Sequence, residues 1–241
     1  MKTRLRRLAL GVCLAATLPP AQAELAINTT RVVFESNKRN ASVVIANPST
    51  RPFAVQTWVN TAKDDTETPV PLATSPGLFK LAPGKEQMVQ ISRLPNDLPS
   101  DRETLFYLNV QEIPEVDPEA KNALYFALRT RLKVFYRPSE LKGLPAEYIH
   151  HLKWSVRKAA GGIQLVVDNP TPYHYTFSRM EVKDASTTEP IAARAMAPPF
   201  GQQVYELERI KSATGLQLSF TTINDYGVPT PVVNTPLPNA N

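Results

Sequence analysis

Two cations stand where the surrounding residues are otherwise those of apolar strands. Arg31 interrupts a run from Leu25-Ala26-Ile27 to Val32-Val33-Phe34, and Lys133 lies between Leu132 and Val134. A cation in a strand ordinarily marks its solvent-facing side. Two that converge in a cleft would instead hold a carboxylate, each charge-assisted bond contributing about 1.5–3 kcal/mol. The segment around Lys133 offers a second chemistry, apolar association. Alternate residues of a strand share a face. Leu124, Phe126, Leu128, Thr130, Leu132 and Val134 therefore lie on one side, and Tyr125, Ala127, Arg129, Arg131, Lys133 and Phe135 on the other. The apolar side can face its own core. At roughly 3.3 Å per residue, however, Leu124–Tyr136 extends about 40 Å, beyond a usual strand of about five or six residues. Leu124, Phe126 and Leu128 can thus project past the core as an edge open to another chain, the alternative being an aggregation hazard.

Other chemistry is missing. There is no Gly-rich phosphate loop, no Gly-x-Ser-x-Gly elbow and no nucleophile–base–orienter set, so the chain reads as a non-enzyme without a cofactor. His150 and His151 adjoin and would point to opposite faces of a strand. With His174 they lack metal-ligand spacing and are expected as ordinary surface or domain-edge histidines.

The N-terminus reads as an export signal. Lys2, Arg4, Arg6 and Arg7 precede an apolar stretch from Leu8 to Leu18, and Ala21-Gln22-Ala23 has the small-x-small pattern of a cleavage site. The apolar run is about half the roughly 20 residues that span a bilayer. Cleavage is expected after Ala23, with export to a compartment where disulfides form. Without the leader's basic residues the balance is 23 Lys and Arg against 22 Asp and Glu, from 27 and 22 in the whole chain. No concentrated basic face for nucleic acid remains. The single cysteine, Cys13, leaves with the leader, so the mature chain owes nothing to disulfides.

The rest is punctuated by 23 Pro against 9 Gly, with short alternating runs in place of helical periodicity. That pattern predicts an all-β fold of two immunoglobulin-like sandwiches. In the first half, strands are expected near Leu25–Phe34, Ala41–Ala46, Phe53–Asn60, Phe79–Leu81, Gln87–Ser92, Thr104–Ile113 and Leu124–Tyr136, with Lys63–Thr68 as a charged hairpin tip. In the second they are expected near Leu152–Arg157, Gly162–Asp168, Tyr173–Asp184, Gln203–Leu207, Leu216–Asn224 and Gly227–Asn234. The expected division is a signal at 1–23, a first sandwich at 24–139, a linker at 140–146 and a second sandwich at 147–241.

Residues 98–114, Leu-Pro-Ser-Asp-Arg-Glu-Thr-Leu-Phe-Tyr-Leu-Asn-Val-Gln-Glu-Ile-Pro, resemble the signature of the periplasmic chaperones that assemble pili. Thr30-Arg31-Val32-Val33-Phe34, Leu132-Lys133-Val134-Phe135-Tyr136-Arg137-Pro138 and Ile223-Asn224-Asp225-Tyr226-Gly227 resemble further pieces of that family, in order. The resemblance implies two sandwiches at an angle with a cleft between them. It implies that Arg31 and Lys133 anchor the C-terminal carboxylate of a pilus or fimbrial subunit. Leu124, Phe126 and Leu128, with Leu132 deeper, would fill the groove of a subunit lacking its last strand, as in donor-strand complementation. Glu103, Arg137 and Asp225 would form an interdomain charge cluster. Partners would be pilin subunits and an outer-membrane usher, with no nucleic acid and no small-molecule substrate. Self-association of the free chain over its apolar strand stays open. The chain departs from members that carry a second-domain disulfide, and its short Glu115–Asn122 segment resembles the short-loop branch. From the residues alone, a sandwich module that binds carbohydrate or peptide through Trp58, Trp154 or Tyr173 also remains open, although core positions suit these aromatics better.

Overall fold

The structure, a computed structural model, describes residues 25–65, 67–115, 124, 126–159, 162–192 and 194–239. The leader, the cleavage site after Ala23, Tyr125 and most of Glu115–Asn122 lie outside the described residues. Nine strands come first: β1 (Ala26–Ile27), β2 (Arg31–Glu35), β3 (Asn40–Ala46), β4 (Phe53–Asn60), β5 (Leu72–Ser75), β6 (Leu78–Leu81), β7 (Glu86–Arg93), β8 (Thr104–Pro114) and β9 (Arg129–Arg137). They form two sheets, ordered β1-β3-β7-β5 and β2-β9-β8-β4-β6. A short 3-10 helix, Pro145–His151, leads to β10 (Lys153–Ala159), β11 (Gly162–Asn169), β12 (Phe177–Lys183), β13 (Thr188–Pro190), β14 (Gly201–Leu207), β15 (Gln217–Thr222) and β16 (Val233–Pro236). These make sheets ordered β10-β11-β14 and β13-β12-β15-β16. The fold is all-β, and each pair of sheets closes on its own apolar core. Phe34, Val43, Ile45, Val55, Ile91, Leu108 and Val134 fill the first; Leu165, Val167, Met180, Val182, Leu218 and Phe220 fill the second.

Period-two patterning located most strands, and the differences have local causes. The expected strand Leu25–Phe34 is two strands in two sheets. Between them Asn28 Oδ1 accepts the Val44 N–H at 3.1 Å, and the Thr29 hydroxyl donates to the Arg31 carbonyl at 2.7 Å. These side chains bond locally to backbone and break the ladder, so β1 pairs with β3 while β2 crosses to run parallel to β9. Lys63–Thr68 is not a hairpin tip, because β4 and β5 belong to opposite sheets. Strand geometry in the long segment begins at Arg129 rather than Leu124. The last ladder bond there is from Glu112 N–H to the Leu128 carbonyl at 2.9 Å. His150 and His151 sit in the 3-10 helix, where the Pro145 ring begins a turn, rather than in a strand. The short strands β5 and β13 carried too few residues to show a period.

The core should respond as a close-packed interior does. Leu108 is 0% exposed, and Leu108→Ala is expected to lower the stability of the first sandwich by about 2–5 kcal/mol. Urea unfolding followed domain by domain checks this, and a loss well under 1 kcal/mol would contradict the packing described.

Candidate functional site

β9 is the element on which the candidate residues converge. Its inward side carries Leu132 and Val134, 6% and 0% exposed, in the first core. The same stripe continues backwards through Leu128, Phe126 and Leu124, which are 51%, 65% and 77% exposed. One apolar face therefore passes from the protein's interior into solvent along a single segment. Exposed runs of this kind on an edge mark association surfaces. Leu132, expected deeper than the other three, is packed into the first core at 6% exposure. In this structure it is where the stripe enters the sandwich.

From Lys133 to Arg137 the outward side of β9 faces the second domain. Arg31 of β2 is the register partner of Lys133 of β9, so two cations roughly a hundred residues apart in sequence sit on adjacent parallel strands. Both reach across the domain boundary. Arg31 Nη1 donates to the Ile223 carbonyl at 3.0 Å, and Lys133 Nζ to the Thr176 hydroxyl at 3.2 Å. Arg31 is 8% exposed, and its Nε has no hydrogen-bond partner among the described residues. Burial, with Arg31 beside it, pushes the Lys133 ammonium down to about 8. Burial also lowers the Arg31 pKa, while Asp225 opposes that shift. Two partly desolvated cations thus lack a full complement of negative charge, which favours an incoming anion.

Glu103, Arg137 and Asp225 meet at the other end of β9. Arg137 donates through Nε to Glu103 Oε1 at 2.8 Å, and through Nη1 and Nη2 to both Asp225 oxygens at 2.7 and 2.8 Å. Burial opposes the charge on Arg137, but the two carboxylates outweigh it and raise its pKa above the ordinary guanidinium value. The turn that presents Asp225 needs its glycine. Gly227 has φ +82°, and a Cβ there would lie 2.3 Å from Thr30 Oγ1 of the first domain. Arg31, Phe135 and Arg137 from one domain and His174, Ile223 and Asp225 from the other line a cleft of about 160 Å³.

His174 was not singled out by its sequence context. Its backbone N–H donates to Glu103 Oε2 at 2.8 Å, its Nδ1 lies 3.2 Å from the same oxygen, and its ring packs on Phe135. Nor was Thr176, the partner of Lys133, and no local pattern marks either residue. The aromatics that could have formed a separate binding surface are otherwise engaged. Tyr173 is 0% exposed with its hydroxyl donating to the carbonyls of Lys142 and Gly143, Trp154 packs on the second core, and Trp58 lies beneath Arg129. Among the described residues no group of His, Cys, Asp and Glu could hold a metal ion, and no helix is long and apolar enough to cross a membrane.

Comparison with known proteins agrees across the chain. The family described as pili and flagellar-assembly chaperone, PapD N-terminal domain, matches residues 24–142, and the pili assembly chaperone PapD, C-terminal domain, matches 147–233. The chaperone protein LpfB of Salmonella typhimurium is 35% identical over 208 residues, covering 84% of each chain. The crystal structure of the YadV chaperone superposes with a TM-score of 0.78 at 31% identity, over 89% of this chain and 100% of that one; YadV is an Escherichia coli protein named as a probable fimbrial chaperone. The fold also matches the Salmonella enterica SafA pilin in complex with the SafB chaperone, at a TM-score of 0.76, 24% identity and coverage of 91% and 99%.

Removing Arg137 strands a buried acid, since the Glu103 side chain is 1% exposed. Arg137→Met is expected to destabilise the protein by about 3–5 kcal/mol, the range for breaking a buried pair. It should also broaden the distribution of interdomain geometries in small-angle scattering. Unchanged stability together with an unchanged scattering curve would contradict this account.

Proposed function

This chain belongs to the PapD family of pilus-assembly chaperones, and from that premise we propose that Arg31, Lys133 and the Leu124–Leu128 stripe are where it takes hold of its subunit. The observation that carries the reading is the alternating series that runs from buried Val134 and Leu132, past Thr130, to exposed Leu128, Phe126 and Leu124. A fimbrial subunit with a groove in place of its last strand would accept that ribbon by backbone pairing, its pockets receiving the alternate side chains. Each large apolar side chain transferred from water contributes about 1.5–3 kcal/mol before association costs. The subunit's C-terminal carboxylate would meet Arg31 and Lys133, which sets the register of the inserted strand. Glu103, Arg137 and Asp225, with His174, would hold the angle between domains rather than touch the subunit.

The remaining assignments complete this reading. Residues 1–23 would direct export to the periplasm and be removed after Ala23. The mature chain would comprise the first sandwich to residue 139, a linker at 140–146 and the second sandwich from 147. Delivery would be to an outer-membrane usher. The match boundaries at 142 and 147 and the two separate cores support the division.

Capture tests the reading directly. In co-expression with a fimbrial subunit, Arg31→Ala and Lys133→Ala should each lower the yield of co-purified subunit about 10- to 100-fold, the equivalent of one charge-assisted bond. Leu128→Glu should do the same by placing a charge in an apolar groove, while circular dichroism and Tm stay near wild type. Wild-type yields from these variants would overturn the assignment.

Affinity should also depend on pH through Lys133. A carboxylate stabilises its charged form, so capture needs the proton that free Lys133 loses as pH rises through about 8. Affinity is expected to be level below that pH and to fall above it, by at most about tenfold per unit. Lys133→Met should flatten the profile, and an identical profile in that variant would contradict the linkage.

A further inference from the structure

The first residues of β9 are held from the side by a polar cluster that the strand-donation role does not by itself require. Buried Asn109 of β8 donates through Nδ2 to Asn60 Oδ1 at 3.0 Å. Asn60, at the end of β4, donates through Nδ2 to Asp64 Oδ1 at 2.8 Å. The Asp64 carboxylate then receives Arg129 Nη2 on Oδ2 and lies 3.7 Å from Arg131 Nη2 through Oδ1. Arg131 Nη2 also donates to Asn60 Oδ1 at 3.2 Å and to the Thr61 carbonyl, with its guanidinium 4.0 Å over the Tyr107 ring. Arg129 lies over Trp58. The loop after β4 is thereby tied to β9 at two successive outward positions. Asp64 itself has φ +60°, a left-handed conformation that residues other than glycine seldom adopt. Hydrogen bonds from Asn60 and then Arg129 hold its carboxyl below the usual carboxylate range, so it stays charged.

The placement matters because the β8–β9 ladder ends here. Arg129 pairs with Gln111, and among the described residues only the Glu112 N–H reaches further, to the Leu128 carbonyl. A strand at the end of its ladder can fray and rotate about its axis. Alternation makes that rotation consequential: Arg129 and Arg131 point outward, so Thr130 and Leu128 must point the other way. Clamping the two guanidinium groups sets the direction in which Leu128, Phe126 and Leu124 leave the domain.

We propose that Asp64 is a positioning residue for subunit capture, a latch that fixes the orientation of the donated strand before a subunit arrives. The inference rests on the strand-donation reading above. Ordering the strand in advance removes part of the entropy that binding would otherwise cost, so its loss should slow capture without unfolding the protein.

The test has one arm on the free chaperone and one on the complex. In free Asp64→Ala, amide hydrogen exchange at residues 129–131 should accelerate about tenfold or more, while the second domain and the Tm stay unchanged. The association rate with a fimbrial subunit should fall about three- to tenfold. The conservative Asp64→Glu, which keeps a carboxylate for Arg129, Arg131 and Asn60, should retain most of both protection and rate. Unchanged exchange in free Asp64→Ala overturns the latch, and faster exchange with a wild-type association rate overturns its role in positioning. Protection kept in Asp64→Glu with capture lost would mean that the subunit reads the Asp64 side chain directly, which also overturns the proposal. Failure of the wild-type protein to capture any subunit would instead remove the strand-donation reading, leaving the exchange result to stand by itself.

Discussion

Side-chain alternation in β9 is the constraint on which the rest of the structure turns. A strand cannot change which residues share a face, so apolar residues that continue the same alternation beyond a core are carried out on the core-facing side. Here it continues past the sandwich. Val134 and Leu132 are interior, whereas Leu128, Phe126 and Leu124 are left in water by the same geometry. A monomer that only needed to fold would place polar residues there, because an open apolar edge invites pairing with any other chain. The ribbon is therefore a liability in the free chain and, in the function proposed above, the means of binding.

The opposite face of β9 obeys the same alternation with different chemistry. Its outward residues are Arg129, Arg131, Lys133, Phe135 and Arg137, and the cations among them differ in how fully they are neutralised. Arg137 is neutralised by Glu103 within the first domain and by Asp225 across the domain boundary, and Arg129 and Arg131 share Asp64 within the first domain. Lys133 meets only the Thr176 hydroxyl among the described residues, and the neighbouring Arg31 meets a carbonyl. The unbalanced charge of the row is thus concentrated at one point, beside the place where the apolar stripe enters its core. Desolvation leaves that point electrostatically unsatisfied, and in the function proposed above a subunit's carboxylate would satisfy it.

Interdomain contacts and the exposed ribbon are consequently carried by one strand. The Arg137–Asp225 pair joins the two domains on the same strand from which Lys133 meets Thr176, beside the Arg31–Ile223 contact. The glycine at 227 permits the close approach that brings Asp225 to Arg137. Each of these features is local, but all act through β9.

Sequence by itself determined the all-β class, most strand positions and the identity of the apolar stripe, because period-two alternation is a property of neighbouring residues. It also marked Arg31 and Lys133, since cations inside apolar runs break a local pattern. Only the tertiary structure decided that these two share a register across parallel strands, that Leu132 belongs to its own core while Leu128 does not, and that His174 joins Glu103. The split of Leu25–Phe34 into two sheets and the meeting of Asp64 with Arg129 belong to the same class. All depend on which distant strands pair and where one sandwich stops. Pairing and closure are set by contacts between segments far apart in the chain, and no local periodicity records them.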